Sequence, residues 1–158
     1  MPRSFVEYKA RGFWVTDAYL RIWLFLLCSE IDALRDAQGW LAEARQDWSL
    51  TATKDWYRAW IDPELDLYVG DDPARMAELL RLVDRAKAQA LSYGEHIPGD
   101  VLEACGFTEE VYPIDTELIA ICGDAFTLVL KGEITWDAAT APTLPAEGGE
   151  VLRQRQND

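Results

Sequence analysis

The stretch Ala18–Cys28, AYLRIWLFLLC, constrains this chain more than any other. Ten of its eleven residues are apolar, and Arg21 is the single break. A helix that is apolar on nearly all sides has to be buried, in a protein core or in a bilayer. A bilayer asks for about 20 consecutive apolar residues, so the stretch predicts the central helix of a soluble domain. Asp17 in front of it is the expected N-cap, because a short carboxylate accepts the free N–H groups of a first turn. An amphipathic continuation through Ile31 and Leu34 runs toward Gly39.

The other helices announce themselves by spacing and punctuation. Trp40, Leu41, Ala44 and Trp48 recur at helical intervals, and Thr53 is placed to cap a following turn in which Trp56 and Trp60 are i, i+4 neighbours. Asp62-Pro63 ends that segment. Asp72-Pro73 opens the clearest amphipathic helix, with Met76, Leu79, Leu80, Val83, Ala90 and Leu91 on one face, Lys87 as the exception and Gly94 as the stop. Asp100 caps a short helix closed by Gly106, and Asp115 or Thr116 starts a last one ending at Gly132. The buried stripe of that last helix is Leu118, Ile121, Cys122, Ala125, Phe126 and Val129. A glycine inside it, Gly123, costs about 1 kcal/mol against alanine. It marks a close crossing, for which the Ala18–Cys28 helix is the expected partner.

Residues 4–16 read as a short strand or an extended arm lying across the core, and Ile134 with Trp136 as a further short strand. From Ala138 onward the chain is rich in Pro, Ala and Gly, which predicts loose attachment. The expectation is a mainly α fold: a single-domain, non-parallel helical bundle of five to seven helices over residues 1–137. It carries a short extended N-terminal arm, minor β content and a loosely ordered C-terminal tail over 138–158. A chain of 158 residues is large enough to bury a core without disulfides or metals.

Three widely spaced cysteines, two of them inside apolar runs, behave as small hydrophobes and point to a reducing compartment. No cleavable apolar core follows the basic N-terminal residues, so the expected location is cytoplasmic. Acidic residues outnumber basic ones by 28 to 15, a net charge of −13. That balance argues against direct contact with nucleic-acid phosphates, whose footprint is a basic surface, and against an anionic membrane. Six of the seven tryptophans fall within the first 60 residues. Most of them fill core, and Trp56 and Trp60 are the candidates for interface anchors.

Catalytic and metal chemistry find little footing. His96 is the only histidine, and no two cysteines have zinc-pair spacing. In the acidic run 62–72, Asp62, Glu64 and Asp66 mimic alternate calcium ligands. Leu67 stands where the turn glycine is needed, however, and Pro73 where the bidentate glutamate belongs. His96, Asp100 and Cys105 are the one grouping for nucleophilic catalysis, with nothing else to support it. The phosphate-binding, dinucleotide and nucleophile-elbow motifs are absent. The expectation is a protein without catalytic activity, metal or cofactor.

The layout of charge is what remains. Between Lys87 and Lys131 there is no lysine or arginine, while Glu95, Asp100, Glu103, Glu109, Glu110, Asp115, Glu117 and Asp124 all lie there. Aspartates 72, 100 and 115 are accounted for as caps. Glu64, Asp66, Glu109 and Glu110 are not, and they sit beside Leu65, Leu67, Tyr68, Val111 and Tyr112. Carboxylates interleaved with apolar anchors suit a basic protein, because charge speeds encounter and fixes register while buried groups supply affinity. The expected partner-binding set is therefore Glu64, Asp66, Tyr68, Asp71, Glu109, Glu110 and Tyr112, with Trp56 and Trp60.

In size, acidity, cytoplasmic character and lack of a catalytic signature, the chain resembles the immunity proteins of bacterial toxin systems. The resemblance covers the whole chain in character and implies a tight one-to-one complex that blocks a cognate toxin, often a basic nuclease. Helical, acidic inhibitors encoded by phages look similar by the same criteria. The alternative is a structural or adaptor protein, a homodimer with Trp56, Trp60 or Tyr68 at its self-interface.

Overall fold

The structure, a computed structural model, describes residues 2–37, 39–53, 61–107, 113–145, 149–150 and 152. Along them run β1 (Arg3–Tyr8), β2 (Arg11–Thr16), α1 (Asp17–Asp32), α2 (Gly39–Thr53), α3 (Leu65–Tyr68), α4 (Pro73–Ser92), α5 (Gly99–Ala104), α6 (Thr116–Leu130) and β3 (Thr143–Leu144). The protein is mainly α, with one small sheet in the order β1-β2-β3 among the described residues.

The apolar stretch is central, as its composition demands. Leu20, Ile22, Trp23, Leu24, Leu26 and Leu27 of α1 are wholly buried, and α1 packs against α2, α4 and α6. Its start differs from expectation. Thr16 occupies the N-cap position, and Asp17 is the first helical residue. The Asp17 carboxylate instead accepts the Ser4 hydroxyl at 2.6 Å, and the same Ser4 oxygen accepts the Ile61 N–H at 2.7 Å. Ser4 is fully buried, so its hydroxyl has to be paired, and Asp17 serves that need in place of a cap. Arg21 finds its partners indoors too. Its Nη2 donates to the Cys105 carbonyl at 2.8 Å, and its guanidinium lies 4.8 Å from the centre of the Phe107 ring, pinning the end of α5 to α1. Burial lowers the Arg21 pKa, but guanidinium starts so high that it stays charged.

The α4 signals are realised. The Asp72 side chain accepts from the N–H groups of Ala74 and Arg75, Pro73 is the first helical residue, and Gly94 follows the last turn with φ +93. The buried face is turned slightly from the expected one: Leu82 and Ala86 are inside, whereas Leu91 is 44% exposed. Lys87 is no misfit in the stripe. Its stem lies in the α4–α6 contact, and its ammonium reaches Asp124 at 2.5 Å. Gly123 marks the close crossing with α1, since a Cβ there would stand 2.8 Å from the Trp23 ring. Trp23 meets Phe126 edge-on at 5.7 Å, and Phe126 meets Phe13 of β2 at 6.0 Å, joining helices and sheet in one core.

The expected N-terminal arm is a hairpin. β1 and β2 pair antiparallel with Tyr8 opposite Arg11, and the two turn residues, Lys9 and Ala10, both have positive φ. That mirror-type turn matches the twist of the strands. Its usual Asn-Gly signature is missing here, so the turn is invisible in composition. Thr143 and Leu144 pair parallel with Trp14 and Val15, and the Trp14 Nε1 donates to the Ala138 carbonyl at 2.9 Å. Residues 138–145, expected to be loose, thus lie along β2, because β2 would otherwise leave one edge unpaired. Residues 134–136 form no strand, although the Trp136 carbonyl accepts the Gly12 N–H at 2.9 Å. No helix among the described residues is long and apolar enough to cross a membrane.

Candidate functional site

Two acidic regions sit at the two ends of α4. Its 20 residues span about 30 Å at 1.5 Å per residue, so the run 62–72 and the stretch after Ser92 are not one continuous patch.

At the first end, much of the charge serves the fold. Asp62 accepts the Glu64 N–H at 2.8 Å, Asp66 accepts the Lys9 N–H at 2.9 Å, and Asp72 caps α4. Asp71 pairs with the Lys9 ammonium at 2.8 Å, which holds its carboxyl below the usual carboxylate range. Tyr68, expected as an exposed anchor, is buried: it stands edge-on to Trp48 and donates its hydroxyl to Asp47. Burial first, and that hydrogen bond second, raise its pKa. The neighbouring Tyr8 hydroxyl donates to the Gly70 carbonyl. The hairpin turn delivers Lys9 and Tyr8 into the acidic loop and so occupies Asp66 and Asp71, whereas Tyr68 is turned inward onto Trp48 and Asp47 of α2. What this end offers a partner is Glu64, in the left-handed region with φ +52 and exposed, and Leu67, 66% exposed on α3. Trp56, Trp60, Glu109, Glu110 and Tyr112 lie outside the described residues.

At the second end, α4, the turn after it and the start of α6 enclose a cleft of about 420 Å³ lined by Leu91, Gly94, Glu95, Asp115, Thr116 and Glu117. Backbone pairing builds it. The Ile97 N–H donates to the Ile114 carbonyl at 2.9 Å and the Thr116 N–H to the Glu95 carbonyl at 3.0 Å, while the Thr116 hydroxyl closes on the Gly94 carbonyl at 2.6 Å. Glu95, Asp115 and Glu117 are exposed. Asp115 holds the N-cap position of α6 without a side-chain capping bond, and its carboxylate meets the His96 Nε2 at 3.2 Å. The half-buried Tyr19 lies close enough that, after burial, Asp115 further raises its pKa. The cleft therefore combines three carboxylates with one exposed leucine, in a stretch that holds no lysine or arginine. An aliphatic stem against Leu91 with a cationic head among the carboxylates is the chemistry such a lining can accept. Each of these carboxylates counts in the base-free stretch of the sequence. Their convergence depends on the pairing of His96 with Asp115, which no local signal predicts.

The nucleophilic grouping does not assemble. Cys105 is wholly buried with its carbonyl on Arg21, burial pushes its thiol up to about 12, and His96 faces Asp115. Cys28 and Cys122 are likewise buried, free and pushed up to about 12 by burial. Among the described residues no group of three or more His, Cys, Asp or Glu could hold a metal ion. No protein-family model, curated protein or solved structure matches the chain.

Proposed function

We propose that the chain is an acidic protein-binding module of the immunity or inhibitor kind, which neutralises a basic partner such as a toxin nuclease by occluding its site. The observation that supports this best is the cleft at Glu95, Asp115 and Glu117, beside the exposed Leu91 and free of lysine and arginine. A basic side chain of the partner enters there, and the negative field of a chain with net charge −13 speeds the encounter. A cytoplasmic location and a non-parallel helical bundle as scaffold belong to the same reading, and neither catalysis nor a cofactor has a part in it.

Co-purification with a basic toxin domain encoded beside it tests the proposal. The expected result is a complex whose dissociation constant rises steeply with salt. A chain carrying Glu95→Lys and Glu117→Lys, both at exposed positions, is expected to bind at least about tenfold more weakly, since like charges at an interface cost several kcal/mol. A complex insensitive to salt and to these two substitutions overturns the reading. A second reading, homodimerisation, is favoured by Leu67 at 66% exposure. A monomer in sedimentation at micromolar concentration removes it.

A further inference from the structure

His96 is the chain's one histidine, and the fold sets it against the acidic cleft. Its Nε2 stands 3.2 Å from the carboxylate of Asp115, a lining residue of the cleft. Backbone pairing, more than charge, keeps the two together. His96 and Asp115 face each other across an antiparallel bridge, and the Ile97 and Thr116 N–H groups donate to the Ile114 and Glu95 carbonyls beside it. The Asp115 side chain makes no capping bond to α6, so the helix does not claim its carboxylate.

Imidazole is the side chain whose charge ordinarily changes between pH 5 and 8. The charged groups near this one are Glu95 beside it, Asp100 in the first turn of α5, and Asp115 and Glu117 at the start of α6. From α1, Tyr19 interacts with Asp115, while Arg21 is turned to the Cys105 carbonyl past the far end of α5. Lys87 of α4 and Asp124 of α6 are paired with each other. Among the described residues, His96 is thus the group beside the cleft that gains a positive charge in mild acid.

We propose that protonation of His96 weakens the hold of the cleft on its cationic guest, so that the protein binds its partner near neutral pH and loosens it in mild acid. This rests on the reading of the cleft as the seat of a basic side chain. A neutral imidazole leaves Asp115 its full charge, and with Glu95 and Glu117 the cleft presents three carboxylates. An imidazolium takes up the Asp115 carboxylate as an ion pair and sets a positive charge against the incoming one. Linkage is reciprocal: a bound guest lowers the proton affinity of His96 by the same factor.

The test titrates the full, untagged ¹⁵N-labelled chain with tetralysine in low salt, at pH 7.5 and at pH 5.5. Binding in the cleft is read from the amides of Glu95, Thr116 and Glu117. The dissociation constant is expected to be at least about threefold higher at pH 5.5, the effect of one unit charge about 6 Å away in water. The titration midpoint of the His96 ring, the only imidazole in the spectrum, is expected to fall by about half a pH unit at saturating tetralysine. A His96→Gln chain, altered at an exposed position, is expected to bind equally at both pH values. If none of the three amides shifts at either pH, the cleft is no cation site and this proposal falls with it. Binding there with equal affinity at both pH values, an unmoved His96 midpoint, or a His96→Gln chain that keeps the pH dependence overturns the proposal alone.

Discussion

A Gly12→Ala chain is expected to lose at least about 3 kcal/mol of stability, the range reached when a backbone contact has to be broken to admit a side chain. A Cβ at this position would stand 2.0 Å from the Val6 carbonyl oxygen and 2.9 Å from the Glu7 Cα. Both obstacles are backbone of the facing strand, so no side-chain rotation relieves them. Separating the strands would also pull the Gly12 N–H from the Trp136 carbonyl, 2.9 Å away, and with it the approach of β3. Urea unfolding followed by tryptophan fluorescence measures the loss. Gly99→Ala is the control, since nothing lies within 4 Å of a Cβ there, and its effect is expected within about 0.5 kcal/mol. A Gly12→Ala chain as stable as that control would show that the hairpin is not packed as described.

The second large effect is a loss of stability in alkali. Cys28, Cys105 and Cys122 each have a thiol pushed by burial from 9.0 to about 12. Above pH 9 the unfolded chain releases these protons while the folded chain keeps them, so the unfolded state binds fewer protons and stability falls as pH rises. The loss begins near pH 9 and continues toward pH 12. At pH 10, one unit above the unfolded value, each thiol contributes on the order of 1 kcal/mol of destabilisation, a few kcal/mol together. Urea unfolding in the presence of a reductant, compared at pH 7.5 and pH 10, checks this. A Cys28→Ala chain is expected to show about a third less pH dependence. A stability unchanged between the two pH values would mean that the thiols are open to water in the folded protein.

How much could be read from the sequence depended on how local the cause was. The start of α4 rests on Asp72 and Pro73, and its stop on Gly94, so spacing alone placed it. The burial of α1 follows from composition, and the role of Gly123 from the rarity of glycine inside a helix. Lys87 looked like an exception because its partner, Asp124, is 37 positions away on α6. The sheet was the least visible element. The hairpin turn is made by Lys9 and Ala10, which carry no turn signature, and β3 is two residues inside a Pro- and Ala-rich segment.

The acidic positions divide by the same logic. Charge counting finds Asp66 and Asp71, but not that Lys9 arrives from the hairpin to meet both of them. Alternation of polar and apolar residues made Tyr68 look like an exposed anchor, whereas α3 turns it inward onto Trp48 and leaves Leu67 outside. The cleft at Glu95, Asp115 and Glu117 arises from two backbone bonds across nearly 20 residues, and periodicity carries no information about those.

The parallel pairing of Trp14 with Thr143 and of Val15 with Leu144 has a temporal consequence. A ribosome delivers the first two strands long before the third exists, so during synthesis β2 keeps one flank without its neighbour until residue 144 has emerged. Contacts this distant along the chain are slow to close. The β1–β2 hairpin and the α1–α2 contact are local and are the natural first structure of the nascent protein, and the closing of β3 onto β2 is its last step.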